Sequence, residues 1–335
     1  MPTDNRIKIF FVTLAFQTFI KRDLQLLKKH FDVRIGHYTG IKSIPKILKG
    51  VLCSDLTFSW FADIHTFYSV LFSQLSKKKS VVIVGGYDAA KVPEINYGLA
   101  LSPVFLPLIK YVFKNADKVL VVDESLKKDA IKNFRLSGEN IQTVPTGYDK
   151  ELWKSKGIKE DLVITVTHIK KESVKRKGLE TFVLAADYLK EFKFVIIGAP
   201  LDNSIHYLKS IASPNVVFPG SVPNEELPQW YSRAKVYCQL SRYEGLPNAL
   251  CEAMLCECVP VGTRYCGIPH AIGNTGFYVP YGDVKATVDA IKKALNSNKG
   301  KEARERIKKF FPLDKREKQL VHLIYDLYKK KRNTT

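Results

Sequence analysis

In the second half of the chain, short apolar runs alternate with helix-patterned stretches, and this alternation restricts the fold more than any other feature. The runs at 162–167, 194–198, 216–218, 236–240 and 259–262 have the length and composition of buried strands. Strands separated by helical patterns favour a parallel sheet with helices on both faces. The first half repeats the theme, with strand-like runs at 7–13, 31–38, 55–60, 80–86, 118–122 and 141–144. Between them lie helical patterns at 20–29, 64–76 and 126–134, and a helical hairpin with two prolines at 99–113. A chain of 335 residues is long enough for two such domains with a core each. Residues 313–331 form a long amphipathic helix with Leu320, Ile324 and Leu327 in step.

The net charge of +20 comes from 53 basic and 33 acidic residues. The first 150 residues, with 22 basic and 13 acidic, hold +9 and the rest +11, so the excess does not mark a basic tail. It suits polyanionic partners such as an anionic membrane surface, nucleic acid or phosphorylated ligands. A Lys-rich solvated surface explains most of it equally well. Residues 41–50, basic and apolar at once, read either as an interfacial segment on anionic lipid or as a plain surface helix. Six cysteines are too few for a secreted disulfide framework. Cys238, Cys251, Cys256, Cys258 and Cys266 cluster, but no pair has C-x2-C spacing, so buried thiols are a better reading than metal. No signal peptide is visible ahead of the first strand, which begins directly after MPTDNR. The most apolar long segment, 95–113, is broken by Pro103, Pro107 and Lys110 and does not read as a spanning helix. These features point to a cytoplasmic protein, with peripheral membrane contact left open.

The stretch 241–252, SRYEGLPNALCE, carries the chemistry. Glu244 and Glu252 stand eight positions apart around Gly245, Leu246, Pro247 and Asn248. Pro247 suits the first turn of a helix, where a missing N–H costs nothing. Asn248 and Glu252 then share one helical face among apolar neighbours. A buried carboxylate needs donors, and the free N–H groups of the helix start favour an anion. A ligand with both hydroxyls and phosphate, such as a sugar nucleotide, meets both demands.

Glu244-x7-Glu252 with Gly-Leu-Pro-Asn inside it resembles the motif of family 4 glycosyltransferases of GT-B architecture. That resemblance implies two Rossmann-like domains facing each other across a cleft. Residues 1–153 are then an acceptor-side domain, 154–312 a donor-binding domain, and 313–335 a helix crossing back to the first domain. The run Val144-Pro145-Thr146-Gly147-Tyr148-Asp149 is similar to the family's crossover. The implied activity is retaining transfer of a sugar from a nucleotide-diphosphate sugar, UDP- or GDP-linked, to a hydroxyl of a glycan or lipid-linked acceptor. Glu252 would hold the ribose and Glu244 would lie by the donor sugar.

A departing diphosphate must be stabilised by metal or by fixed cations. No D-x-D motif is present, so no metal and no further cofactor are expected, and cations are sought in the run 170–178. There Lys177-Gly178 resembles the family's diphosphate-binding pair. His168 stands where the family has arginine, and Arg176 is the substitute, since a guanidinium binds phosphate in bidentate fashion. Gly198 ends a strand where a base or ribose can approach backbone, and Val222 lies in a loop that in the family runs along the nucleobase. Gly267-Ile268-Pro269 resembles a loop near the donor sugar, with His270 in its acidic position. In the first half the family's paired-glycine loop is replaced by residues 15–19, AFQTF, and its histidine by Tyr87 and Asp88. Asp88 is the candidate for a sugar-hydroxyl contact, with turn capping as its structural alternative. Two other readings stand beside the transferase. One is a nucleotide-sugar epimerase of the same shape. The other is a basic nucleic-acid-binding or DNA-modifying protein with a transferase-like core, although no zinc finger or aromatic-basic RNA motif is present.

Overall fold

The computed structural model describes residues 6–332; residues 1–5 of the MPTDNR stretch and 333–335 lie outside the described residues. The chain divides into two compact units. One comprises the chain up to Gly147 together with the stretch from Leu313 on, and the other is Tyr148–Pro312.

The first unit is built on six strands: β1 (Lys8–Thr13), β2 (Asp32–His37), β3 (Leu56–Trp60), β4 (Lys79–Val84), β5 (Lys118–Val121) and β6 (Ile141–Thr143). They pair in the order β2-β1-β3-β4-β5-β6, every pair parallel. Every residue of β3 is buried, as a strand covered on both faces must be. The expected hairpin at 99–113 is instead a single 3₁₀ turn, Leu99–Leu101, followed by the helix Phe105–Asn115. Pro103 explains the break, because the residue before a proline is pushed out of the helical region: Ser102 has ψ of 118°.

The helix Leu313–Arg332 belongs to this unit through a buried ion pair. Arg316 donates from Nε to Asp23 Oδ1 at 2.6 Å and from Nη2 to Oδ2 at 2.5 Å. Its Nη1 donates to the carbonyls of Val144 and Pro145, at 3.0 and 2.8 Å. Trp60 Nε1 supplies Asp23 with a further donor at 2.9 Å. Both charged side chains are only 1% exposed. Near the surface, Glu317 adds contacts to His30 and Lys29 along the helix Thr18–His30.

The second unit repeats the architecture with β7 (Glu160–Val166), β8 (Lys193–Ile197), β9 (Val216–Gly220), β10 (Ala234–Gln239), β11 (Val259–Thr263) and β12 (Phe277–Val279). The order is β12-β11-β10-β7-β8-β9, again all parallel. Its core packs the apolar face of the helix Leu179–Asp187 and of the helix Val284–Leu295 against the central strands. The strand order reverses direction between β7 and β10, the position at which open α/β sheets bind ligands outside the strands' carboxyl ends. Among the described residues, no helix is long and apolar enough to cross a membrane. All six cysteines are free thiols, with Cys238, Cys251, Cys256 and Cys258 buried.

Two measurements test this framework. Arg316→Met leaves Asp23 buried with Trp60 as its one remaining donor described above. Urea unfolding should show a loss of about 3–5 kcal/mol, which pairing with Asp23→Leu partly restores. His65 is fully buried, its Nε2–H donates to the Trp60 carbonyl at 2.9 Å, and its Nδ1 has no partner among the described residues. Burial lowers its pKa to about 4, against the pull of that carbonyl and of Asp63. The unfolded chain therefore takes up the proton first, and stability falls as pH drops from the ordinary histidine value near 6.5 toward about 4. A His65→Gln variant should lack up to about 3 kcal/mol of this acid sensitivity, read as the pH dependence of the unfolding midpoint.

Candidate active site

Two loops converge at the reversal point of the second sheet. The chain leaving β7 forms the short helix Lys171–Arg176, within the run in which cations were sought. Ser173 caps this turn through the backbone N–H of Lys170 and the carbonyl of His168. The chain leaving β10 runs through Ser241 to Glu244 and into the helix Asn248–Leu255. The loops are joined through backbone: Arg242 N–H donates to the Arg176 carbonyl at 2.8 Å.

Gly178 is what lets them meet. It holds φ of +66°, and a Cβ there would lie 2.4 Å from the Leu240 carbonyl oxygen at the end of β10. Lys177 is thereby carried against Glu244, and its Nζ forms an ion pair with Oε1. Arg176 Nη1 reaches the same oxygen at 3.1 Å and the Tyr243 carbonyl at 3.4 Å, while its Nε donates to Glu172 at 3.2 Å. Gln239 Nε2 approaches Glu244 at 3.5 Å and donates to Ser241 Oγ at 2.7 Å. The three charged side chains are between 12 and 18% exposed.

The electrostatics follow from that geometry. Burial alone would raise the Glu244 carboxyl, but Lys177 and Arg176 outweigh it and hold it below the usual carboxylate range. Burial lowers the Lys177 ammonium, and neighbouring Arg176 lowers it further, while Glu244 opposes both. Glu244, with Glu172 behind it, is therefore what opposes loss of the Lys177 proton. Counting Arg176, Lys177, Glu172 and Glu244 with Lys170, which pairs with Glu172 at 2.9 Å, the cluster carries one excess positive charge.

Glu252 lies in the second turn of the helix Asn248–Leu255 and is 6% exposed. Tyr237 lies within reach of both glutamates. Burial raises its hydroxyl above the ordinary phenol value, and Glu244 and Glu252 push it the same way. Pro247 is extended and sits just ahead of the helix, which starts at Asn248, one residue later than the sequence suggested. Gly245, Leu246 and Pro247 are buried, and Asn248 Oδ1 accepts from Tyr148 OH at 3.1 Å. The Gly267 N–H points at the Glu244 carbonyl, 3.4 Å away, and so fastens the loop after β11 to the same centre.

Gly198 ends β8 with φ of +154°, and a Cβ there would stand 1.9 Å from the Thr167 carbonyl oxygen. Neighbouring His168 is exposed at the mouth of β7. Val222 is half-buried in the loop after β9. His270 lies in the helix Ile268–Ile272, its ring edge-on to Phe311 at 5.0 Å and its carbonyl accepting from Arg306. Asp88, in the first unit, is 1% exposed. Its carboxylate accepts from the N–H groups of Ala62, Gly85 and Gly86 at 3.0, 3.3 and 2.8 Å. Burial pushes its carboxyl up to about 6 against those donors. Of the two readings of Asp88, this geometry matches the turn-organising one. Sequence reasoning missed Glu172, Gln239 and Arg242, whose guanidinium stacks on Tyr265 at 4.1 Å. A glutamate in a run dominated by lysines gave no sign of pairing with Arg176.

Residues 160–297 match the family model described as glycosyl transferases group 1. A sulfoquinovosyl transferase of Arabidopsis thaliana is 26% identical over 260 residues, 70% of this chain and 50% of that protein. An alpha-galactosylglucosyldiacylglycerol synthase of Streptococcus pneumoniae is 26% identical over 223 residues, 58% of this chain and 59% of that protein. The matches thus span only 50–59% of the length of these two relatives. Among solved structures, the HepE protein of Anabaena in complex with UDP has the same fold. It gives a TM-score of 0.78 at 14% identity, over 96% of this chain and 100% of that one. The second unit thus carries a group 1 glycosyltransferase domain, and the two Rossmann-like sheets are those of a GT-B protein.

Gly178→Ala tests the contact that builds the cluster. Gly157 also has a positive φ, +84°, but nothing lies within 4 Å of a Cβ placed there. Gly157→Ala should cost about 1–2 kcal/mol from conformation alone. Gly178→Ala should cost clearly more in the same urea titration, because its clash is with backbone that cannot rotate away.

Proposed function

We propose that this chain is a retaining, metal-independent glycosyltransferase of family 4 that uses a nucleoside-diphosphate sugar, UDP- or GDP-linked. The observation that carries the reading is the buried, net-positive cluster of Arg176, Lys177 and Glu244 at the reversal point of the second sheet. Fixed cations in a water-poor site are what a departing diphosphate requires. Lys177 and Arg176 would hold its oxygens, with the open N–H groups at the start of the helix Asn248–Leu255 as further donors. Glu252 would accept from the ribose hydroxyls. Glu244 would orient the sugar while keeping Lys177 protonated. The UDP bound to the Anabaena neighbour and the sugar transfer named for both relatives are consistent with that donor class.

In the reaction, the bond between the anomeric carbon and the β-phosphate oxygen breaks. A bond to the acceptor hydroxyl oxygen forms on the same face, and the acceptor proton passes to the departing diphosphate. No side-chain nucleophile is involved. The lipid-linked product named for the Streptococcus relative supports a glycan or lipid-linked acceptor, assigned here to the first unit.

Calorimetric titration with UDP, GDP and ADP tests the donor site. UDP or GDP should bind, and Lys177→Ala and Glu252→Ala should each weaken binding by about 10- to 100-fold, the worth of a charge-assisted contact. Chelator should leave binding and transfer unchanged, and the product should keep the donor's anomeric configuration by NMR. Failure of every nucleoside diphosphate to bind, or wild-type affinity in both variants, overturns the reading; an inverted product overturns retention alone.

A further inference from the structure

We infer that one face of the first unit docks on an anionic lipid bilayer. The segment 41–52 forms a 3₁₀ turn and the helix Ile44–Leu52, and its residues sort into three stripes. Ile44, Ile47 and Val51 face inward, packed with Phe10, Val12, Tyr68 and Phe72. This stripe alone suffices to hold a helix on a sheet. A second apolar stripe, Ile41, Pro45, Leu48 and Leu52, faces solvent, with Ile41 76% and Leu52 54% exposed. Beside it run Lys42, Lys46 and Lys49, all exposed.

The neighbouring helices extend this character. The helix Ile64–Leu75 packs on Ile44–Leu52, and Phe105–Asn115 packs on Ile64–Leu75. Leu75 at the end of the former is 75% exposed, and Val104 ahead of the latter 71%. Lys110 and Lys114 are exposed on Phe105–Asn115, and Lys77 is exposed just past the end of Ile64–Leu75. Residues 41–54, 64–80 and 99–116 contain no aspartate or glutamate. The acids flanking them are engaged in holding the fold: Asp63 caps Ile64–Leu75, Asp55 accepts from Lys8 N–H, and Asp117 binds Lys79 and Ser80. The face ends at the helix Glu124–Phe134, where Glu124 and Asp129 appear.

Lysines without acids select an anionic surface, and interleaved exposed Ile, Leu and Val select one with an apolar interior. A nucleic acid would satisfy the lysines and leave the aliphatic stripe wet. The surface belongs to the first unit and the cation cluster to the second, so the inference does not depend on the proposed activity.

Vesicle flotation of the whole chain tests it, with pure phosphatidylcholine and with phosphatidylcholine containing phosphatidylglycerol. Binding should need the anionic lipid and weaken with salt. The triple variant Lys42→Gln, Lys46→Gln, Lys49→Gln should bind at least tenfold more weakly, since each lysine near an anionic surface is worth roughly fivefold. Leu48→Ser with Leu52→Ser should also reduce binding at least several-fold. All five positions are exposed, so melting temperatures should stay at the wild-type value. Lys177→Ala should float like wild type, separating this surface from the donor site. Equal binding to neutral vesicles, or no binding to either, overturns the inference. So does an effect of the lysines without one of the leucines, together with salt-sensitive binding of duplex DNA.

Discussion

The second unit depends on a small group of charges that water barely reaches. Two cations and one carboxylate share the oxygen Oε1 of Glu244, all in side chains less than a fifth exposed. A lysine in such a place would tend to lose its proton, because desolvation penalises the charged form. Glu244 reverses part of that penalty, and Arg176 supplies a charge that does not titrate. The Glu244 carboxylate and the Lys177 ammonium are thus one electrostatic unit. Their placement rests on backbone: Gly178 allows the approach to Leu240, and Arg242 N–H binds the Arg176 carbonyl.

The first unit solves a different problem with similar means. Its sheet must accept a helix that arrives from the far end of the sequence. Apolar contacts from Leu320, Leu323, Ile324 and Leu327 give that helix a buried stripe but little registry. Arg316 adds the registry: a bidentate bond to Asp23 fixes the helix, and two further bonds fix the carbonyls of Val144 and Pro145. Arg22, beside Asp23, donates to the Gly147 carbonyl at 2.7 Å. Three of the last four residues of this stretch are thus held by side chains. Such a network is costly to bury and more costly to break.

Much of this order is legible in the sequence, because parallel strands covered on both faces leave continuous apolar runs. Among the described residues, eleven of the twelve strands fall within runs that read as strand-like, although the edge strand β2 is only partly apolar. The twelfth, Phe277–Val279, escapes notice because it has three residues between Gly276 and Pro280 and pairs only with β11. The Lys171–Arg176 helix was hidden by its lysines, which suggest solvent; Ser173 and buried Val174 were the signals available. Pro103 is plain in the sequence, whereas the extended backbone it imposes on Ser102 is not. Asp23 and Arg316 are 293 positions apart, and neither has a local pattern to announce the other. Glutamates 244 and 252 were legible from spacing, whereas the sharing of Oε1 between two cations needed three dimensions.

The charge of +20 gains meaning only when its counterions are located. In the first unit the acids are not spread evenly. Asp23 is spent on Arg316, Glu317 on His30 and Lys29, and Asp117 on Lys79. The helices Ile44–Leu52, Ile64–Leu75 and Phe105–Asn115 have no acid of their own, and lysines stand on the first and third and just after the second. A solvated surface would show both signs mixed, and the absence of acids on this face is what favours the inferred anionic surface over the Lys-rich solvated reading. Exposed Ile41, Leu48, Leu52 and Leu75 make the same point from the apolar side, since a lone helix face has no need of a second greasy stripe. Charge and hydrophobicity fall on the same face, and a surface that combines both is the environment in which neither is wasted.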